Sequence, residues 1–313
     1  MTNAQVTRAT SETAGAQTSR LRAEDVSIGY ERTLISENLS VAIPDNSFTV
    51  IVGPNGCGKS TLLRALARLI KPSHGEVLLD GKPLRRYAPK EAAKKLGLLP
   101  QNQVTPDGIR VADLVSRGRF AHQGLVRQWS SADEAAVRDA MRMTGVTELS
   151  ERFVAELSGG QRQRVSIAMA LAQQTDILLL DEPTTFLDLT HQIEVLELCT
   201  DLHEQGHTLV AVLHDLNQAA RYATHLIVMH EGRIVAEGPP DEVLTVDLVE
   251  RVFRVRCLIT DDPAVGTPQV VPLGRERGRA RARERGCEGG GTGQRPSEQP
   301  LNTERTEPEG ALQ

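Results

Sequence analysis

One nine-residue segment constrains this chain more than any other: Gly53, Pro54, Asn55, Gly56, Cys57, Gly58, Lys59, Ser60 and Thr61. It follows the apolar run Phe48–Val52 and precedes Leu62, Leu66, Leu69 and Ile70, whose spacing is helical and runs on toward Pro72. A strand must therefore pass into a helix through a loop carrying three glycines. Glycine lets backbone N–H groups close around an anion, and the helix N-terminus adds unpaired donors and a favourable dipole. In such a loop Lys59 is placed to reach the β- and γ-phosphates of a nucleotide and Ser60 to ligate Mg2+.

A phosphate loop needs carboxylates on a neighbouring strand, and the segment 177–180, four apolar residues, leads into Asp181 and Glu182. A carboxylate at a strand's C-terminal edge lies beside the loop that follows the adjacent strand. Asp181 is thus a candidate for holding the metal, and Glu182 for orienting and deprotonating an attacking water. Further strand candidates at 77–79, 97–99, 208–213 and 226–229 alternate with helical stripes such as Val195, Leu198, Cys199 and Leu202. From 21 to about 260 this is the pattern of an α/β domain with a largely parallel sheet. Between 104 and 175 the strand signal gives way to charged, alanine-rich helical sequence, 132–144 for example, so a helical insert interrupts the sheet.

The rest of the composition narrows the function by exclusion. No apolar run reaches the roughly 18–20 residues that cross a bilayer. A net charge of −5 lacks the basic excess of a general nucleic-acid binder. Cys57, Cys199, Cys257 and Cys287 are far apart, without the paired spacing of a zinc site or disulfide framework. Residues 1–20 are polar and lack a secretory apolar stretch, so they read as disordered and the protein as intracellular. Residues 261–273 read as a linker. The Gly-, Arg-, Glu- and Pro-rich stretch 274–313 reads as a disordered tail to which no role is assigned.

Leu157, Ser158, Gly159, Gly160 and Gln161 precede the acidic strand in the same chain, and here the sequence resembles the ABC ATPases, whose signature motif this is. The residues also make physical sense, since a serine and two glycines opening a helix present a hydroxyl and free N–H groups to an anion. The resemblance, over about residues 21–260, implies a P-loop NTPase with a RecA-like sheet core, a small antiparallel β part and a helical subdomain at about 104–175. It implies ATP as ligand and Mg2+ as cofactor. Position by position, Tyr30 is similar to the aromatic that stacks on adenine, Gln101 to the Q-loop glutamine that contacts the metal, Asp188 to the D-loop aspartate of the dimer interface, and His214 to the switch histidine that reaches the γ-phosphate.

The same resemblance implies a homodimer in which each ATP lies between one protomer's phosphate loop and its partner's Ser158–Gly159–Gly160–Gln161. It also implies integral membrane permease subunits, an indirect link to a substrate-binding protein, and a peripheral location on the cytoplasmic membrane face. Residues 118–123, Trp129 and 182–192 look like importers of ferric siderophores, haem and vitamin B12, at positions expected to face the membrane partner and the D-loop. An exporter cassette or another nutrient importer is the main alternative. A non-transport ABC protein fits less well, because neither a second cassette nor a long coiled-coil insert is visible.

Overall fold

The structure, a computed structural model, describes residues 19–30, 33–101, 105–123 and 129–274. The expectations for the N-terminus before Ser19, the tail after Gly274, the first residue of the insert and Cys287 lie outside the described residues. The chain runs through β1 (Leu21–Tyr30), β2 (Thr33–Ile43), β3 (Phe48–Val52), α1 (Lys59–Leu66), β4 (His74–Leu79), β5 (Lys82–Pro83), α2 (Pro89–Ala93) and β6 (Leu96–Leu99). The insert contributes α3 (Val111–Ser116), α4 (Ser131–Met143) and α5 (Gly159–Leu171). The sheet then resumes with β7 (Ile177–Asp181), α6 (Leu189–Glu204), β8 (Thr208–Val212), α7 (Leu216–Tyr222), β9 (His225–His230) and β10 (Arg233–Gly238). Two short helices, α8 (Pro240–Val243) and α9 (Val246–Phe253), lead to β11 (Cys257–Asp261) and β12 (Pro268–Pro272).

Six strands form the main sheet in the order β10-β9-β3-β8-β7-β6, parallel throughout except for β10. Every residue of β3, β7 and β8 is buried, as continuous apolar strands covered on both faces must be. One face packs on α6, α7 and α9 through Leu196, Cys199, Leu202, Ala219 and Leu248; the other packs on α1 and on a second, antiparallel sheet in the order β2-β1-β4-β5. The insert has a core of its own, in which Val111, Leu114, Ala140, Val165 and Ala168 meet. Because β6, β7, β8 and β3 are parallel neighbours, the loops leaving their C-terminal ends are gathered along one edge of the sheet.

Two expectations need correction. The first helix does not run on to Pro72: it ends at Leu66, because Arg68 adopts φ +63° and Leu69 and Ile70 donate back to Arg64 O. A left-handed residue just past the end is a common helix stop, and it leaves Leu69 exposed rather than in the core stripe. Residues 261–273 are no linker, since β11 and β12 pair from Cys257↔Pro272 to Asp261↔Pro268. The hairpin is clasped to α7 by Asn217, which donates to Val270 O at 3.2 Å and accepts from Val270 N at 2.7 Å. The strands β1 and β2 escape strand-by-strand reading because register shifts after Ala23 and Val26 break the period of two.

Candidate nucleotide site

The phosphate loop leaves the buried end of β3 and turns on two glycines that no other residue replaces. At Gly53 a Cβ would lie 2.2 Å from Met229 O, and Gly58 takes φ +104° as it enters α1. No side chain caps that helix, so its first N–H groups are open to a ligand. Lys59 is buried, and its Nζ donates to Gly53 O at 2.9 Å and Pro54 O at 3.1 Å, which holds the ammonium across the loop. Positive charge, open donors and glycine backbone at one point make an anion site.

Asp181 closes β7 and is buried; its Oδ2 accepts from Arg64, while Oδ1 has no hydrogen-bond partner. An unpartnered buried carboxylate oxygen is costly unless something else satisfies it. Glu182 then takes φ +55°, turning the chain off the strand. Its Oε2 accepts from Gln101 Nε2 at 2.5 Å and from Thr185 Oγ1 at 3.0 Å, and its Oε1 lies 2.8 Å from His214 Nε2. Gln101 follows β6 and His214 follows β8, the two strands that flank β7, so sheet order alone brings these three side chains together. A cleft of about 370 Å3 is lined by Asn55, Lys59, Ser60, Thr61, Glu182 and His214 among others. Tyr30 is half exposed at the end of β1, and its hydroxyl accepts from Arg64 at 3.1 Å.

Ser158 and Asp188 cap the two helices on which the remaining candidates stand. Ser158 Oγ accepts from Gln161 N, and Gln161 Oε1 accepts from Ser158 N, a reciprocal pair that fixes the start of α5. Asp188 caps α6 by accepting from the backbone N–H of His191, which with the His191 ring holds its carboxyl below the usual range. Ser158 and Gly159 are exposed, and Gly160 is buried against the His191 ring. None of 158–161, nor Asp188, lines the cleft that holds Lys59, and neither do Tyr30, Gln101 and Asp181. A methyl group at Gly160 would sit 2.0 Å from His191 Cδ2. Gly160→Ala is therefore expected to lower the melting temperature by about 3–10 °C, from an overpacking cost of about 1–3 kcal/mol. Truncating the ring in the same chain (His191→Ala) is expected to restore most of that loss. No recovery in the double variant would show that the ring is not what Gly160 makes room for.

The segment 118–123, expected to face a partner, faces mostly inward. A Cβ at Gly118 would lie 2.1 Å from Met169 O, Arg119 is buried against Asp133, and His122 Nε2 is 2.7 Å from Gln173 O. Phe120 is the exposed exception, and it shares an open groove with Arg117, Gln123 and the half-exposed Trp129. Neither Arg64 nor Thr185 stands out as a candidate in the sequence, although both touch the carboxylates of the site. Thr185 had a visible signal, standing three residues after Glu182; Arg64 had only its spacing of four from Ser60.

Strand order, phosphate loop, acidic strand end and signature helix define an ABC-type ATPase, and residues 36–185 match the family model described as ABC transporter. The chain belongs to the ABC transporter ATP-binding family, and it binds and hydrolyses ATP. It is 58% identical over 257 residues to the ferric enterobactin transport ATP-binding protein FepC of Escherichia coli (strain K12), covering 82% of this chain and 95% of that one. Among solved structures it resembles a transporter described as metal-chelate type in an inward-facing conformation (TM-score 0.71, 28% identity, 82% of this chain and 98% of that chain). It also resembles the dimeric cassette of a bacterial ABC transporter (TM-score 0.62, 29% identity, 70% and 98%). No helix among the described residues is long and apolar enough to cross a membrane.

Proposed function

We propose that this chain powers the import of an iron-siderophore-type substrate, working as a homodimer beneath integral permease subunits on the cytoplasmic face of the membrane. A substrate-binding protein would meet the permease, never this subunit. The cargo reading is supported by the 58% identity to a ferric enterobactin transport subunit across nearly its whole length.

In the site, the loop N–H groups and Lys59 receive the β- and γ-phosphates, and Tyr30 stacks on adenine. Asp181 Oδ1, buried and without a partner, fits a metal, and it would hold Mg2+ together with the Ser60 hydroxyl and Gln101. When bound, Mg2+ supplies positive charge against the phosphate oxygens. Glu182 takes the proton of the attacking water, His214 orients that carboxylate and meets the γ-phosphate, and Gln101 carries the state of the site toward the insert. The observation that carries this reading is the convergence of Gln101, Thr185 and His214 on the one carboxylate of Glu182. As the likeness to the ABC ATPases implies, Ser158, Gly159, Gly160 and Gln161 serve the partner's nucleotide, with Asp188 between the two protomers; in their own chain none of them lines the cleft that holds Lys59.

Cells lacking this subunit are expected to grow normally on abundant free iron, to grow poorly on a ferric siderophore, and to take up no labelled iron from it. Undiminished uptake across a panel of ferric siderophores, with haem or cobalamin uptake lost instead, would replace the cargo and leave the ATPase in place.

A further inference from the structure

Arg64 lies one turn along α1 from Ser60, so the two side chains leave the same face of the helix. Its guanidinium points in two directions. Nε donates to Asp181 Oδ2 at 3.2 Å, one terminal nitrogen lies 3.1 Å from the same oxygen as an ion pair, and the other terminal nitrogen donates to the Tyr30 hydroxyl at 3.1 Å. Asp181 is buried and Tyr30 half exposed, so the firm end of this bridge is the carboxylate and the loose end is the ring. A buried carboxylate holds its cation tightly, because either charge left alone there is costly. An aromatic ring with nearly half its surface in solvent is held only weakly by packing.

We infer that Arg64 is a positioning residue for the nucleotide base: anchored on the Asp181 carboxylate, it fixes the Tyr30 ring in the orientation that meets adenine. The inference rests on the reading of Tyr30 given above and adds the group that makes that reading work. A planar fork is what the task requires. Three nitrogens spread over one plane reach two acceptors on different sides, whereas an ammonium supplies charge without that span. The bridge engages only Oδ2 of Asp181 and leaves Oδ1 without a partner, so holding the ring does not occupy the oxygen assigned to the metal. The base end and the metal end of the site then depend on a single side chain.

The test compares ATP with inorganic tripolyphosphate, which carries phosphates and no base, by equilibrium binding to the full-length protein with Mg2+ present. Arg64→Lys keeps the charge beside Asp181, and Tyr30→Phe keeps the ring; each removes the bond between them. Both are expected to weaken ATP about three- to tenfold, the range of one net hydrogen bond, and to leave tripolyphosphate within about twofold. The double variant is expected to lose no more than either single one, because both remove the same bond. Equal losses for ATP and tripolyphosphate in Arg64→Lys would place the residue at the phosphate end and overturn the inference. Losses that multiply in the double variant would overturn it as well. Should Arg64→Lys fail to fold, Tyr30→Phe decides alone, since unchanged ATP affinity there removes the hydroxyl bond from base recognition. Unchanged ATP affinity in Tyr30→Ala would instead strike at the reading of Tyr30 itself.

Discussion

Glu182→Gln is expected to slow ATP hydrolysis about 100- to 10,000-fold, the contribution of a positioned general base, while ATP affinity stays within about threefold of the parent. The structure gives a reason for both halves. Glu182 is not among the groups that make the anion site, which is built from the loop backbone, Lys59 and the open end of α1. An amide at position 182 has the same shape and keeps an oxygen for Gln101 and Thr185, so the surrounding chain has little cause to move. What the amide lacks is a basic lone pair. It would also point an N–H at the neighbour of Oε1, His214, whose ring would have to change tautomer to accept it. Steady-state hydrolysis and equilibrium ATP binding, measured on the same preparation, check the two halves separately. Turnover within about threefold of the parent would remove Glu182 from the role of base. Loss of ATP binding together with turnover would mean that the carboxylate supports the loop rather than the water.

The parts of the fold and site that were legible in the sequence are those with strong local chemistry. Strands β3, β7 and β8 are continuous apolar runs because both faces of each are covered, and they stand out from amphipathic sequence at once. Gly53 and Gly58 mark positions where backbone geometry or close approach excludes a side chain. That Gln101, Glu182 and His214 meet was legible only through the family resemblance, since 81 residues separate the first two and nothing local encodes strand order. What stayed hidden has physical causes. β1 has the exposed Glu24 and Asp25 side by side between buried residues because register shifts interrupt its alternation. The hairpin of β11 and β12 buries little beyond Cys257 and Val270, so its composition resembles a linker. Arg64 looks like an ordinary solvent-facing helical arginine until the tertiary structure brings Asp181 and Tyr30 to either side of it. Arg119 misleads in the opposite sense. It lies in a segment that resembles partner-facing sequence in the importers, yet its guanidinium is sealed inside the insert.

That burial makes Arg119 and Asp133 the pair whose loss should cost the fold most. Arg119 Nε donates to Asp133 Oδ1 at 2.9 Å, and another guanidinium nitrogen donates to Ala172 O at 2.8 Å and Gln174 Oε1 at 2.9 Å. Asp133 Oδ2 accepts from the Ser130 hydroxyl at 2.6 Å and from the Ser130 backbone N–H at 3.1 Å, one half of the capping box that opens α4. One buried guanidinium thus ties the segment around Phe120 to the start of α4 and the end of α5. Asp133→Ala strands a buried guanidinium and removes one half of that capping box, and is expected to destabilise the protein by about 3–5 kcal/mol, a fall of about 6–20 °C in melting temperature for a domain of this size. Replacing both partners with apolar side chains, Arg119→Met with Asp133→Ala, is expected to cost less than Asp133→Ala alone, because no charge is then left unpaired. The Asp133 carboxyl is held down at about 2 from an ordinary 3.8, first by the Ser130 hydroxyl and then, against the opposing effect of burial, by Arg119. A depressed folded-state value means that this carboxylate contributes its stability fully above pH 3.8 and loses it progressively as pH falls from there through about 2. Thermal unfolding of the parent and Asp133→Ala, compared at pH 7 and near pH 3, should therefore show a gap that narrows on acidification. A gap that is small at pH 7, or constant with pH, would show that the insert is held by its apolar core and that the ion pair adds little.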